Sequence, residues 1–299
     1  MSLYLNRNED FSNYVNDTIF IDKSNLITIT NSNISKPSSK FMCVTRPRRF
    51  GKTMALSMLN AYYSKGCDSL SLFEKLNIAK DNSYLEHLNK HNVIWIDMAS
   101  LYTDIRDKND FFKELETNLL DDLNEAFPNV LKEMDNTISK AIIRINSKLN
   151  ERFIFLIDEW DVIYREQEYN TKLCDEYTEL LRNLFKSSNV SSCIDLVYMT
   201  GILPIRRYST QSTLNMFTEY SMTDPGDLAG YFGFTEQEVS RLCDTYDMNF
   251  EEAKTWYDGY HLIAHRQNGD EHYSIYSPKS VVEAMLRHKL GTYWNQTET

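Results

Sequence analysis

One eight-residue segment constrains the fold of this chain more than any other. Residues Arg46–Thr53 have the sequence RPRRFGKT and follow an apolar segment, KFMCVT (Lys40–Thr45). A helix-forming segment, TMALSMLNAYY (Thr53–Tyr63), continues from them. In a strand–loop–helix context, the pattern G-x-x-x-x-G-K-[ST] forms a loop whose backbone N–H groups surround phosphates. Arg46–Thr53 is therefore predicted to bind phosphate, and we call it the phosphate loop.

The two halves of the phosphate loop match this pattern differently. Gly51-Lys52-Thr53 matches it fully, so we expect Lys52 to reach the β and γ phosphates and the Thr53 hydroxyl to bind Mg²⁺. The partial positive charge of the following helix N-terminus favours the same ligand. Arg46 replaces the first glycine, so the start of the loop is expected to depart from the standard shape.

We expect the whole loop to contact a nucleotide. Arg48 and Arg49 are either additional phosphate contacts or ordinary surface partners of carboxylates. The residues predicted to bind the nucleotide are Arg46, Pro47, Arg48, Arg49, Phe50, Gly51, Lys52, Thr53 and Met54.

Four short, nearly continuous apolar segments alternate with helical patterns along the first two thirds of the chain. Such segments are typical of parallel strands covered on both faces. They are KFMCVT (Lys40–Thr45), NVIWIDM (Asn92–Met98), RFIFLI (Arg152–Ile157) and IDLVYMTGIL (Ile194–Leu203). The alternation predicts an α/β fold, namely the three-layer, doubly wound parallel sheet of a P-loop NTPase.

The sequence changes character after about residue 222. A turn cluster at residues 223–227 precedes a capping box at Thr235–Glu238, and Ser277-Pro278 marks a further helix start. We therefore predict a P-loop domain over residues 1–222. Residues 223–299 are predicted to form a small, mainly helical subdomain, a lid or winged-helix-like unit.

Two adjacent carboxylates follow the third apolar segment. Asp158 and Glu159 come directly after FIFLI (Phe153–Ile157), and ligands of open α/β sheets bind at the carboxyl ends of strands. Asp158 is expected to hold Mg²⁺, and Glu159 to orient and deprotonate the attacking water. Asp161, close behind them, is expected to have a structural role.

Polar residues also follow the last apolar segment. Thr200 is a candidate contact to the γ phosphate or to the attacking water. Arg206, or its neighbour Arg207, is a candidate source of positive charge for the transition state, in cis or toward a neighbouring subunit. An ordinary solvated basic pair is the alternative for these two arginines.

Composition narrows the class of protein. The chain has 32 Lys and Arg against 43 Asp and Glu, a net charge of -11, which disfavours direct nucleic-acid binding. Five scattered cysteines fit a reducing cytoplasm. No segment approaches the roughly 20 apolar residues that span a bilayer. We expect a soluble, cytoplasmic protein that does not enter the membrane.

At these residues the sequence resembles the bacterial AAA-ATPase-like family. The phosphate loop and FLIDEWD (Phe155–Asp161) are the strongest matches, and RPRRFGKT is the most specific. The resemblance runs from about residue 20 to the end. Its other motifs are FIDKS (Phe20–Ser24), TGILPI (Thr200–Ile205), GFTEQEV (Gly233–Val239), WYDGY (Trp256–Tyr260), YSPKSV (Tyr276–Val281) and YWNQT (Tyr293–Thr297).

The resemblance implies ATP as the ligand and places Asp22 and Lys23 near the nucleotide, as candidate contacts to the base or the loop. From the residues alone, the two fit an ordinary turn. Members of this family often carry a C-terminal nuclease-like domain of the PD-(D/E)XK type. No such pattern follows YWNQT in this chain, so nuclease activity is not expected from it. A homo-oligomer, or a partner that supplies the nuclease-like domain, is what the resemblance implies.

Three functions remain open at this point. The first is an ATPase that uses hydrolysis to drive a conformational change. The second is a scaffold that holds ATP without hydrolysing it, which the intact Lys52, Thr53, Asp158 and Glu159 disfavour. The third is a small-molecule P-loop kinase, which the adjacent carboxylates at a strand end disfavour.

Overall fold

A five-stranded, all-parallel sheet forms the centre of the protein. The computed structural model describes residues 3–6, 11–105, 110–166, 170–205 and 214–293. The strands run in the order β2-β3-β4-β1-β5. They are β1 (Phe41–Thr45), β2 (Asn92–Asp97), β3 (Phe153–Asp158), β4 (Ile194–Gly201) and β5 (Thr218–Tyr220). The four strands predicted from apolar segments are confirmed, and β5 is an additional short edge strand.

Helices cover both faces of this sheet. They are α1 (Phe11–Val15), α2 (Leu26–Asn33), α3 (Lys52–Tyr63), α4 (Leu70–Phe73), α5 (Tyr84–His87), α6 (Met98–Asp104), α7 (Phe111–Ala126), α8 (Ile138–Leu149), α9 (Val162–Glu166), α10 (Thr171–Phe185) and α11 (Ser188–Ser191). One face of the sheet packs on α3, and the opposite face packs on α7, α8 and α10. The predicted three-layer P-loop NTPase architecture is confirmed.

Successive residues of each strand point into opposite cores, because side chains alternate across a sheet. In β1, Met42 packs with Leu56 and Leu59 of α3. Its neighbour Cys43 joins the core that contains residues of α7, α8 and α10. Both cores are closed to water, and this explains the unbroken apolar segments in the sequence.

The strand register aligns the carboxyl ends of the central strands. Thr45 of β1 lies opposite Gly201 of β4, and Asp97 of β2 lies opposite Asp158 of β3. Polar residues that follow these strands therefore meet at one edge of the sheet, which we call the carboxyl edge.

The C-terminal part combines three helices with a small antiparallel sheet. The helices are α12 (Glu236–Thr245), α13 (Phe250–Tyr257) and α14 (Pro278–Arg287), and the strands, in the order β6-β8-β7, are β6 (Phe234–Thr235), β7 (Asp258–Ala264) and β8 (Glu271–Tyr276). Thr235 and Glu238 form the predicted capping box. The β7–β8 hairpin was not predicted from the sequence, and the domain boundary at residue 222 stays a prediction.

Within the part of the chain that the structure describes, no helix is both long and apolar enough to span a membrane.

Candidate functional site

The phosphate loop connects β1 to α3 at the carboxyl edge. Its last turn needs a left-handed backbone at Gly51, where φ is +83°, a conformation that glycine adopts without a steric penalty. Arg49 also has a positive φ, +67°. These two turns curl the chain before α3 begins at Lys52, so the loop closes around the N-terminus of that helix.

The Lys52 ammonium lies inside the curve of the loop. Its Nζ donates hydrogen bonds to the carbonyl oxygens of Arg46 (3.1 Å) and Pro47 (3.0 Å), and the residue is only 5% exposed. Burial lowers the pKa of Lys52, while the nearby Glu159 and Asp158 act in the opposite direction. A buried cation whose hydrogen bonds within the described residues go to neutral carbonyls suits a polyanionic ligand.

Asp158 is held by three hydrogen-bond donors. The Thr53 hydroxyl donates to Oδ2 at 2.6 Å, the Thr200 hydroxyl donates to Oδ1, and the Glu159 N–H donates to Oδ1 at 3.0 Å. Burial raises the pKa of Asp158, and the two threonine hydrogen bonds oppose this. The structure thus brings together three residues that the sequence placed on α3, β3 and β4.

This group of oxygens fits Mg²⁺. Mg²⁺ prefers hard oxygen ligands and usually combines one or two protein ligands with phosphate oxygens and water. The Thr53 hydroxyl and the Asp158 carboxylate supply such a pair. The described residues contain no cluster of three His, Cys, Asp or Glu side chains that could hold a metal.

Glu159 occupies a strained turn after β3. Its φ is +50°, which is unusual for a residue with a Cβ. The side chain is ion-paired with Arg165 on α9. Burial raises the pKa of Glu159, and Lys52 and Arg165 oppose the shift.

Asp161 has the structural role expected for it. Its Oδ2 accepts the N–H groups of Leu203 (2.8 Å) and Ile202 (3.2 Å), which follow β4. Arg165 Nε lies 3.2 Å from the same oxygen, at ion-pair distance without hydrogen-bond alignment. Sequence reasoning missed Arg165, although its position four residues after Asp161 places the two on one helical face.

Arg46 points into the protein. Its Nη1 donates to the carbonyls of Thr45 (2.8 Å) and Tyr220 (2.7 Å), and its guanidinium lies 5.3 Å from the centre of the Phe232 ring. The residue is 1% exposed, and burial lowers its pKa to about 10. The Arg46 side chain therefore fixes the start of the loop to β5, and any contact with a nucleotide falls to its backbone. Arg48 is exposed and Arg49 half-buried.

Phe50 anchors the loop to the C-terminal part. Its ring packs with Leu262 and Ile275 and lies edge-on to Tyr260, with centroids 5.1 Å apart. Its carbonyl accepts the N–H of Gly233 at 3.1 Å. Gly233 has a φ of +78°, and a Cβ there would come within 2.3 Å of Ile275 Cγ2. Glycine is therefore required where the chain passes the phosphate loop.

An apolar cavity of about 150 Å³ opens beside Gly51 and Met54. It lies between the segment before α2 and the C-terminal part, with Phe20, Ile21, Tyr231, Phe234 and Val282 among its lining residues. Its position and apolar walls suit a planar aromatic base. The sequence did not indicate these C-terminal lining residues, because they become neighbours of the loop only in the folded chain.

Asp22 and Lys23 lie near this cavity, but their polar groups bind the protein itself. Asp22 accepts the N–H groups of Ser24 (2.8 Å) and Asn77 (2.7 Å). Lys23 lines the cavity, and its Nζ donates to the Gly230 carbonyl and to Glu238 Oε2, each at 2.7 Å. Burial lowers the pKa of Lys23, and Glu238 opposes this. Lys23 thus ties the N-terminal segment to α12. The other predicted residues, Arg206 and Arg207, lie outside the described residues.

The chain is similar to known proteins in two of three comparisons. Residues 9–210 match a family model, AAA-ATPase-like, whose description is "Predicted AAA-ATPase". A comparison with curated proteins gave no match.

Among solved structures, the chain is similar to the ORC2 protein of Aeropyrum pernix in ADPNP-ADP complexes, with 10% identity and a TM-score of 0.38. That match covers 78% of this chain and 55% of the ORC2 chain. It is also similar to domain III of the Thermotoga maritima replication initiation protein DnaA, with 13% identity and a TM-score of 0.30 over 80% of this chain and 75% of that one.

Proposed function

Since the chain belongs to the family of predicted AAA-ATPases, we propose that it binds ATP with Mg²⁺ and hydrolyses the nucleotide to drive a conformational change. The observation that carries the proposal is the arrangement at the carboxyl edge. A buried lysine lies in the phosphate loop, and a carboxylate held by Thr53 and Thr200 lies directly beside the first turn of α3.

The phosphates would lie in the curve of the phosphate loop. Backbone N–H groups of the loop and of the start of α3 would bind them, as in other phosphate-binding helix N-termini. Lys52 would exchange its two carbonyl partners for the β and γ phosphates. That exchange replaces neutral acceptors with charged ones and so strengthens the hydrogen bonds.

The hydrolytic step would use Glu159 as the general base. Its carboxylate would accept a proton from the attacking water, and Thr200 would orient the water or the γ phosphate. When bound, Mg²⁺ would neutralise charge on the β and γ phosphates, and Thr53 and Asp158 are the residues that would hold it. Arg206, by its place in the sequence, is proposed to add charge to the transition state.

The base would occupy the apolar cavity beside Met54. Because the N-terminal segment and the C-terminal part both line this cavity, the bound base would hold them together. Phe50 links the phosphate loop to the β7–β8 hairpin. We therefore propose that the nucleotide state is transmitted to residues 223–293 through these two contacts.

The Glu159–Arg165 ion pair favours a second candidate, an ATP-dependent scaffold with little turnover. A carboxylate that is engaged by a guanidinium is not free to accept a proton from water.

The cellular setting is part of the proposal. Cysteines without disulfides, at Cys43, Cys67, Cys174, Cys193 and Cys243, support a reducing cytoplasm. A homo-oligomer, or a partner with the nuclease-like domain, is proposed from the resemblance alone.

The test is to measure ATP binding and phosphate release for wild type, Lys52→Ala and Glu159→Gln. We expect Lys52→Ala to lose binding and Glu159→Gln to bind ATP but release no phosphate. Lys65→Ala, an exposed lysine just after α3, is the matched control and should behave as wild type. Equal phosphate release by wild type and Glu159→Gln would reject the hydrolytic role of Glu159.

A further inference from the structure

Arg165 contacts the carboxylate to which the proposed function assigns the role of general base. Its Nη2 donates to Glu159 Oε2, and its Nε lies 3.2 Å from Asp161 Oδ2. The Arg165 side chain is 14% exposed, so water competes little for this guanidinium. One cation therefore contacts both Glu159 and Asp161, the two carboxylates in the turn after β3.

The backbone that carries Glu159 is firmly held. Trp160 is fully buried, and its N–H donates to the Thr200 carbonyl at 2.9 Å. The Asp161 carboxylate binds the backbone after β4 through the N–H groups of Ile202 and Leu203. The Glu159 carboxylate can therefore change position mainly by side-chain rotation.

Arg165 in turn is oriented by Asp161. Asp161 is 0% exposed and anchored to the end of β4, so it is a fixed negative charge beside the guanidinium. A guanidinium presents its donors in a rigid fork. With Nε placed against Asp161, Nη2 is directed at Glu159, and the contact selects one rotamer of the Glu159 side chain.

The Glu159–Arg165 contact interferes with the role of Glu159 as a general base. A base must present a carboxylate lone pair to the water that it activates. In the structure, the Arg165 Nη2 donor occupies Glu159 Oε2. Lys52, in the phosphate loop, also favours the charged form of Glu159 and lowers its pKa against burial.

We propose that Arg165 is a positioning residue that restrains Glu159, and that ATP hydrolysis requires the Glu159–Arg165 contact to open. The inference rests on the proposed function. Under this inference the site would bind ATP and hydrolyse it slowly until the contact is released. It also connects Glu159, through Arg165 and Asp161, to the backbone at Ile202 and Leu203.

The kinetic test compares wild type with Arg165→Met and Arg165→Lys. Arg165→Met removes the donor, so we expect kcat to rise about fivefold or more, with KM for ATP changed by less than about twofold. Arg165→Lys keeps a charge but not the fork, and its kcat should fall between the two. Adding Glu159→Gln to Arg165→Met should abolish the gain.

A second measurement does not depend on turnover. Thermal unfolding of wild type, Glu159→Gln, Arg165→Met and the double variant gives the coupling between the two side chains. We expect coupling in the nucleotide-free protein and its loss in Mg²⁺ with a non-hydrolysable ATP analogue. Arg144→Met removes the ion pair between Arg144 of α8 and Asp135. It is the control for the general effect of losing an ion pair.

Two results would overturn the inference. One is a kcat at or below that of wild type for both Arg165 variants while ATP affinity is retained. The other is coupling that persists unchanged with the analogue bound. Failure of the proposed function looks different, because wild type and Glu159→Gln would then release phosphate at the same rate whatever residue stands at 165.

Discussion

Two buried aspartates at opposite edges of the central sheet have opposite electrostatic environments. Asp158 ends β3 at the carboxyl edge, and Asp195 lies near the start of β4 at the other edge, which we call the amino edge. Asp195 is 3.0 Å from Arg152 Nε, accepts the Ser35 hydroxyl at 2.6 Å and lies 3.4 Å from His91 Nδ1. These partners hold its pKa below the ordinary value against burial.

Asp158 has hydroxyl and amide donors instead. No described cation is within ion-pair distance of it, and burial raises its pKa. The charge of Asp195 is thus compensated by an ion pair, whereas among the described residues Asp158 has no ion-pair partner and, of the cations, only the more distant Lys52 acts on its charge. An uncompensated buried carboxylate is costly, and such a cost is typical of a position that an external cation completes. The comparison therefore favours a structural role for Asp195 and supports the cation-binding role that we propose for Asp158.

The largest expected effect concerns the amino edge. Asp195→Asn leaves Arg152 and His91 without their carboxylate, so the free energy of unfolding should fall by about 3 kcal/mol. Chemical denaturation of the nucleotide-free protein measures it. Asp175→Asn, an exposed aspartate on α10, should change little. A loss no larger than in that control would remove the structural half of the comparison.

The second prediction concerns the close packing of the carboxyl edge. A Cβ at Gly201 would lie 2.5 Å from Trp160 Nε1 and 2.6 Å from Asp161 Oδ1. Gly201→Ala should therefore cost about 2 kcal/mol of unfolding free energy through overpacking. At Gly259 the nearest such atom is 4.0 Å away, and Gly259→Ala should cost far less. Equal costs would show that the site tolerates displacement of Trp160.

The third prediction concerns Asp158 itself. Asp158→Asn removes an uncompensated charge and keeps the shape of the side chain, so unfolding of the nucleotide-free protein should change by less than about 1 kcal/mol. Chemical denaturation of Asp158→Asn and Asp195→Asn under the same conditions measures the difference between their unfolding free energies. If the two substitutions cost the same, the two edges are not distinguished by charge compensation.

The smallest effect is a pH dependence at the amino edge. His87 Nδ1 is 3.0 Å from His91 Nε2, and burial, aided by His91, lowers the pKa of His87. A lowered pKa means that the unfolded chain binds the proton more tightly. The stability that His87 contributes to the folded state is thus present above about pH 6.5. It is lost as the pH falls through the lower pKa of the folded state.

The substitution His87→Gln should reduce the change in unfolding free energy across this pH range, by less than about 1 kcal/mol. Unfolding free energies measured between about pH 5 and 7.5 would show it. An unchanged slope in His87→Gln would assign the dependence to other groups.

The sequence predicted the parts of the fold that rest on local pattern. Continuous apolar segments identified β1 to β4, and the Gly51-Lys52-Thr53 motif located the turn into α3. The β7–β8 hairpin was missed because its strands mix exposed polar residues with buried ones, as in DGYHLIA (Asp258–Ala264). β5 has only three residues, too few for a pattern.

The remaining features of the site depend on contacts between distant segments. The inward direction of Arg46 requires the carbonyl of Tyr220 and the ring of Phe232, which lie far along the chain. The Glu159–Arg165 contact requires a left-handed turn at a residue other than glycine, which propensity disfavours. Neither feature leaves a signal in the local sequence.

The central claim, that Asp158 completes a Mg²⁺–ATP site, is tested most directly by calorimetric titration of ATP with and without Mg²⁺ into wild type and Asp158→Asn. We predict that Mg²⁺ strengthens ATP binding to wild type by about tenfold or more, and that Asp158→Asn loses this dependence while remaining folded. ATP binding that is independent of Mg²⁺ in wild type, or unchanged dependence in Asp158→Asn, would contradict the account.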